Sequence, residues 1–535
     1  MTKTLLQIFT LCCLSQIAFS ANWSENAPIP IEGRPNPLSW TPSDLEDKSH
    51  AGLNHALAYP VTVTGTLVPH SLFEQLFTNK GNPIFKAARS VTGWHTFDHM
   101  ESWMGLAPFP NEIPRPHQAV STGRMGTSYI ETENGIGVTW SCAACHTTQL
   151  FGKVVIGGPN KFPRANDFFL VGKKAMPLNW PSIAQAFKAM SPEEAAMMQK
   201  TKNSLRKVNT PAPKVLGLDT SLSQVALSLA RRKKDDYASP SKFRELFPRN
   251  DFLTKHVADS KPGTWWTVKY KNRWLSDGSV VSGNPIYTNF LWNEIGRGTD
   301  LNELETWLKE NNDIVEELST FVFASEPPLY SDFFPVEDIN IEKAIRGQKH
   351  FRKTCARCHG DYQKGWEDSS ISESREMIKT HKVHYHTNTP VVDVGTDPGR
   401  YQGMKSLEQL NDLAISKSFG VLVKSQKGYV PPPLVGIWAR WPYFHNNSAP
   451  SLCAVLSKAS ERPKTFIGVR PIDSKKDFDQ ACNGFPSEGK AAYVYDTSLE
   501  GQSNSGHDEG IFLRNGKELL SPEQKMELIE FLKTL

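Results

Sequence analysis

Two short runs of residues dominate the chemistry open to this chain: SCAACH at 141–146 and TCARCH at 354–359. In each, Cys-x-x-Cys sets two thiols at the spacing that reaches both vinyl groups on one porphyrin edge. The histidine that follows directly, His146 or His359, turns back beneath the ring and offers an imidazole to its iron. Cys142, Cys145, Cys355 and Cys358 are thus expected attachment points, and two covalently bound haems c the expected cofactors. Zinc is the main rival for paired Cys-x-x-Cys. Zinc ribbons, however, bring their pairs within about 15–20 residues, whereas these lie in opposite halves of the chain. A thioredoxin-like redox pair would not require a trailing histidine twice.

Elements able to position the second motif are legible on either side of it. In NIEKAIRGQKHFRKTCARCHG, Ile341, Ala344, Ile345, His350 and Phe351 fall near one helical face, and Gly347 permits another helix to approach closely. The terminal run SPEQKMELIEFLKTL opens with Ser521 as N-cap, Pro522 at the first helical position and Gln524 closing a capping box. Met526, Ile529, Phe531 and Leu532 form its apolar stripe. A helix before the motif and a terminal helix crossing it resemble the cytochrome c fold, which gives a domain at 336–535. The first motif sits in NGIGVTWSCAACHTTQLFGKVVIGGPNKF, which reads as strand, motif, then a hairpin around Gly152 and Gly157-Gly158. Helical patterns follow at 181–207, 221–233 and 301–325, and ASEPPLYSDFFP at 324–335 reads as a connection. No tandem repeat stands out beyond the two motifs. The expected fold is mainly α with long loops and a few short β-hairpins, as two cytochrome-c-like haem domains at 21–330 and 336–535.

Composition narrows the setting. The chain has 535 residues and a formal charge of +4 from 60 basic and 56 acidic side chains, interspersed, so a nucleic-acid footprint is not expected. Its 14 Trp, 13 Tyr and 28 Phe argue against disorder. Lys3, the apolar run Leu5 to Leu14 and Ala18-Phe19-Ser20 read as a signal peptide over 1–20. Cleavage would remove Cys12 and Cys13 and leave a periplasmic or secreted protein with no membrane span. In that oxidising compartment the remaining Cys453 and Cys482 are expected to pair. GTDPGR at 395–400 reads as a turn with Arg400 near a haem propionate; calcium there is a secondary reading. No nucleotide fingerprint or nucleophile elbow occurs.

Taken together, four stretches resemble the bacterial di-haem cytochrome c peroxidase superfamily, and within it the exported rubber oxygenases. They are GVTWSCAACHTTQ with GGP, KPGTWWTVKYKNRWLSDGS, PPPLVGIWARWPYFHNNSAPSL and YDTSLEGQSNSGHDEG. PYFHNNS is shared with the wider superfamily, where Gly usually stands at the position of Asn447. The resemblance implies that the haem on His146 is the reactive centre and that the haem on His359 is six-coordinate, serving relay or tuning. His507 matches the late histidine that supplies its sixth ligand; His381, His384, His386, His445 and Met404 are rivals. Trp265 and Trp266 match an aromatic pair placed near the haems, where an indole could shorten an electron path. Rubber oxygenases place a Phe above the reactive iron beyond that pair, but this chain has Val280, Val281 and Ser282 there, so it departs from the polyisoprene pattern.

The group above the reactive iron divides the candidate functions. A dioxygenase acting on an apolar alkene favours a dry pocket, for which Val215, Leu216, Val280 and Val281 are candidates. A peroxidase needs an acid–base residue, for which His95 and His99 at i, i+4 spacing are candidates. A carrier fills the sixth site. The expected partners are dioxygen or hydrogen peroxide, with a hydrophobic small molecule or polymer, or a redox protein.

Overall fold

The computed structural model describes residues 41–116, 123–175, 190–281 and 284–535. The expected signal peptide, the 181–189 end of the expected 181–207 helix and Ser282 lie outside them. Helices predominate, joined by long loops, and the strands form one three-stranded sheet and four two-stranded pairs among the described residues.

The first motif is built on the three-stranded sheet. Strand Gly135–Trp140 is its centre, paired with Thr127–Thr132 on one side and Val68–Pro69 on the other. Ser141 N–H donates to Gly126 O at 2.8 Å, which carries the chain straight into the short turn Cys142–Ala144. Gly126 has φ +107°, and a Cβ there would lie 2.6 Å from Ala144 Cα, so only glycine lets the motif sit this close to the sheet. The hairpin Thr147–Leu150 and Lys153–Ile156 follows as expected, turning at Phe151-Gly152.

Two helix crossings organise the two ends of the chain, and they share their contacts. Helix Ile341–Thr354 crosses helix Pro522–Lys533 at Gly347, where a Cβ would stand 2.0 Å from Glu527 O and 2.9 Å from Phe531 Cβ. One turn along, His350 Nε2 meets Glu527 Oε2 at 3.0 Å. Helix Pro42–Leu57 crosses helix Asn312–Ala324 at Gly52 in the same way: its Cβ would stand 2.1 Å from Glu317 O and 2.7 Å from Phe321 Cβ. His55 Nε2 meets Glu317 Oε2 at 2.8 Å. Both crossings thus use Gly-x-x-His against Glu-x-x-x-Phe. This is a repeat in space, between residues too few and too dispersed to stand out as a tandem sequence repeat.

Capping follows the sequence closely. Ser521 and Gln524 close their box around Pro522, and Thr41 and Asp44 do the same ahead of Pro42. The terminal helix differs in one detail: Leu528 and Glu527 are buried beside Ile529, Phe531 and Leu532, while Met526 is exposed. Glu527 enters because Arg346 and His350 pair with its carboxylate. The expected 301–325 helix is two, Leu301–Glu310 and Asn312–Ala324, divided at Asn311.

Packing crosses the expected 330–336 boundary in both directions. The core around Trp438, Phe351 and Phe531 takes in Leu150, Val155, Trp266 and Tyr270 from the first half. The core around Leu222, Phe290 and Trp307 takes in Met404, Leu407, Leu410 and Val423 from the second. Two lysines fasten the halves polar-to-polar: Lys161 Nζ donates to the carbonyls of Ala439 and Trp441, and Lys261 Nζ to those of Arg440 and Pro442. Burial pushes both ammonium groups well below the ordinary lysine range, and the four carbonyls are what make such burial tolerable. Cys453 and Cys482 form the expected disulfide.

Candidate haem sites

Each motif histidine has one ring nitrogen already engaged. His146 Nδ1 lies 2.8 Å from Gly263 O, and His359 Nδ1 lies 2.8 Å from Pro432 O. A backbone carbonyl can only accept, so each Nδ1 carries the proton and each Nε2 keeps its lone pair for a metal. Burial also lowers both imidazole pKa values, that of His359 to about 4, so the neutral, coordinating form prevails.

Around His146 the orientation is enforced by a closed set of bonds. Gly157 N–H donates to His146 O at 2.7 Å, Trp265 N–H donates to Gly157 O at 2.9 Å, and Gly263 O returns to the His146 ring. Trp265 lays its indole against the imidazole with centroids 5.2 Å apart. The next residue, Trp266, is fully buried in the other core and donates from Nε1 to Val435 O at 3.0 Å. The aromatic pair therefore joins the surroundings of the first motif to those of the second.

The second motif hangs on three consecutive prolines. Tyr385 Oη donates to Pro431 O at 2.6 Å, His359 Nδ1 to Pro432 O, and Arg440 Nη1 to Pro433 O at 2.8 Å. A Pro-Pro-Pro run has no N–H to pair and a fixed φ, so it presents carbonyls at set directions. In the sequence this run is only part of a matching stretch; its lack of N–H donors is the signal it carries. Tyr362 completes the support by donating to His359 O at 2.8 Å while accepting from Leu434 N–H.

His507 faces His359, with ring centroids 6.3 Å apart and planes inclined by 57°. A metal–nitrogen bond of about 2 Å on each side, plus about 1 Å from each nitrogen to its ring centre, adds to roughly 6 Å. The spacing fits one iron between the two rings. His507 Nδ1 is buried without a partner, and burial lowers the ring pKa to about 3. Its backbone is left-handed at φ +56°, held by a bond from its N–H to Val394 O. Arg462 fixes the approach to it, donating to the carbonyls of Ala454, Asn504 and Gly506. Phe444, at φ +64°, packs its ring 5.7 Å from that of His507. Asn447 takes φ +62°, the conformation for which glycine is otherwise preferred.

The rival ligands have other surroundings, though His386 stays beside the second motif. His381 and His384 are exposed on a strand edge, and His386 Nε2 bonds to Cys358 O. His445 stacks on Tyr429 with centroids 4.0 Å apart. Met404 is buried in the other core, with Leu222 and Leu407. His95 and His99 stack on each other and are exposed, which removes them as buried acid–base residues. The expected dry-pocket residues do not come together as one group. Val215 packs with Leu218 and Tyr495, and its neighbour Leu216 is only half-buried, whereas Val280 and Val281 run beside Leu422 and Val423.

For calcium the turn at 395–400 offers no donor set. Asp397 engages both carboxylate oxygens with the N–H groups of Gly399 and Ser503, and no three His, Cys, Asp or Glu side chains gather at one point among the described residues. The same holds for zinc: the four motif cysteines are free thiols in two separate places. Burial pushes Cys142 and Cys355 up to about 11 and Cys145 up to about 12. Arg400 Nε pairs with buried Asp277 at 3.1 Å, and its Nη1 has no partner.

Comparison with known proteins bears on the proline run and the segment after it. A family model described as RoxA-like, cytochrome c-like matches residues 428–467. The uncharacterized protein y4iJ of Sinorhizobium fredii (strain NBRC 101917 / NGR234) is 24% identical over 95% of this chain and 95% of its own length. The uncharacterized protein y4iM of the same strain is 26% identical over 37% of this chain and 49% of its own length. The matched segment holds the carbonyl that orients His359 and the Phe444 that packs on His507. Residues 428–467 are thus similar to a RoxA-like, cytochrome c-like domain, and covalent haem c is what such a domain implies.

Proposed function

We propose that this protein is an exported di-haem oxidoreductase in which two cytochrome-c-like units divide the work, and that it cleaves an unsaturated hydrophobic substrate with dioxygen. The observation that carries the reading is the unequal setting of the two motif histidines: His359 faces a second imidazole, while His146 leans on an indole. The repeated helix crossing at Gly52 and Gly347 supports two cytochrome-like units. Haem held by His146 would supply dioxygen activation, and haem held by His359 and His507 would supply one-electron transfer.

The chain's own residues do the rest. Gly263 O and Pro432 O keep the imidazoles in the tautomer that presents Nε2. Trp265 and Trp266 provide an aromatic path from one unit to the other. Arg440, buried and bonded to Pro433 O, places a positive charge beside the second motif, where it favours the reduced state of a nearby centre.

Oxygen consumption by the purified protein, with a soluble polyisoprene-like oligomer and no peroxide, tests the activity. The reading predicts uptake matched by carbonyl-bearing cleavage products. Turnover only with hydrogen peroxide and a reduced electron donor would replace the dioxygenase by a peroxidase, and no turnover under either regime would leave a carrier.

A further inference from the structure

Most large apolar side chains that reach the surface do so singly, but one segment gathers them. Phe243 and Phe247 are each 62% exposed, Leu246 75% and Phe252 45%. Phe243 and Phe247 stand with ring centroids 5.3 Å apart. The segment is not a loose loop. Ser241 caps the short helix Lys242–Leu246, Arg231 donates to Glu245 O, and Arg249 ties back through its N–H to Ala230 O and through Nη2 to Leu229 O. Something other than poor packing keeps these side chains in water, since the backbone beneath them is fastened at four points.

Charge says what chemistry would cover them. Within residues 231–256, Lys233, Lys234, Lys242 and Lys255 are exposed, against exposed Asp235 and Asp236. Arg244 lies over the Phe243 ring. Phe252 also lines a surface groove of about 620 Å³ whose wall includes Tyr401, Lys405 and Lys427; Lys427 lies 3.8 Å from Asp393, and Ser406 and Ser425 bond to Asp251 and Glu408 behind the wall. Aromatic and leucine side chains beside a cationic groove match an anionic lipid surface: acyl boundary for the rings, phosphate for the lysines. An apolar partner alone would have no use for the cations. No described helix is long and apolar enough to cross a membrane, so this attachment would be peripheral.

We propose that Phe243, Leu246, Phe247 and Phe252, with Lys405 and Lys427 at the adjoining groove, dock this protein on an anionic phospholipid bilayer. Flotation of the full haem-loaded protein with vesicles tests it, using phosphatidylcholine alone or mixed with phosphatidylglycerol. The expected result is recovery with the mixed vesicles only, reduced by added salt. The triple variant F243S/L246S/F247S and, separately, K405E/K427E should each weaken partition by about tenfold or more, with the haem spectrum and melting temperature unchanged. Should the triple variant fold poorly, the charge variant and the salt series decide alone. Recovery with both vesicle types alike, with neither, or with apolar polyisoprene particles alone would overturn the proposal. So would a dimer in solution that the triple variant abolishes.

Discussion

His359 and His507 stand opposite each other with ring centroids 6.3 Å apart and planes inclined by 57°, the first closing the short helix Ala356–His359 and the second on a loop. One ring is aimed by a proline carbonyl, the other by a left-handed backbone and the Phe444 ring. Replacing His507 by Ala should leave both haems attached, since the thioether cysteines are untouched, and convert one haem per chain from low-spin to high-spin in electron paramagnetic resonance. His507→Met should stay low-spin and raise the potential of that haem, because a thioether stabilises reduced iron relative to a second imidazole.

Arg462 acts on the same ligand from a distance. Its guanidinium is buried and donates to four carbonyls, two of them in the loop that leads to His507. Arg462→Met would strand those acceptors, at a cost of about 3 kcal/mol. Denaturant titration should show that loss. A high-spin fraction that grows on warming should accompany it, and Arg462→Lys should restore part of the low-spin signal, which a purely structural role would not do.

The two helix crossings predict matched penalties. A methyl group at Gly347 or Gly52 would meet a backbone carbonyl at about van der Waals overlap, and the helix axes would have to separate. Gly347→Ala and Gly52→Ala should each cost about 3 kcal/mol or more, read as a lower melting temperature. Surface controls such as Gly152→Ala on the hairpin, where φ is +86° but nothing lies within 4 Å, should cost less.

Asp259 gives the stability a pH dependence. It is buried, accepts a hydrogen bond from Lys214 N–H at 2.9 Å, and burial raises its carboxyl pKa to about 7. The folded state therefore holds a proton that the unfolded chain releases near pH 4. The contribution is full below that pH and is lost as pH rises through 7. Asp259→Asn should stabilise the protein at pH 8 by on the order of 3 kcal/mol, and by much less at pH 5, in parallel denaturation curves.

Local structure was legible where neighbours within a few residues set it: the Ser521 capping box closes and Gly347 meets the terminal helix as the sequence implies. The two Cys-x-x-Cys-His motifs rest on the sequence itself. The pairing of Cys453 with Cys482 follows from compartment and count. What was hidden depends on distant contacts. His95 and His99 have helical spacing, yet His95 precedes the helix Phe97–Trp103 that holds His99, and both are exposed. Val215 and Val280 are apolar and buried, but in different neighbourhoods, because residues 404–423 fold back onto the first half. The helix Pro42–Leu57 and its crossing at Gly52 were missed, since Gly-x-x-His is meaningful only opposite Glu317 and Phe321.

The central claim is that the two haems are unlike: one saturated by His359 and His507, one open on His146. Carbon monoxide titration of the dithionite-reduced protein, followed optically with haem counted by pyridine haemochrome, tests it most directly. The account predicts two haems per chain and saturation at one carbon monoxide per chain, with the low-spin bis-histidine signal retained in the ferric protein. Two low-spin haems that both refuse carbon monoxide, or a single haem per chain, would contradict it.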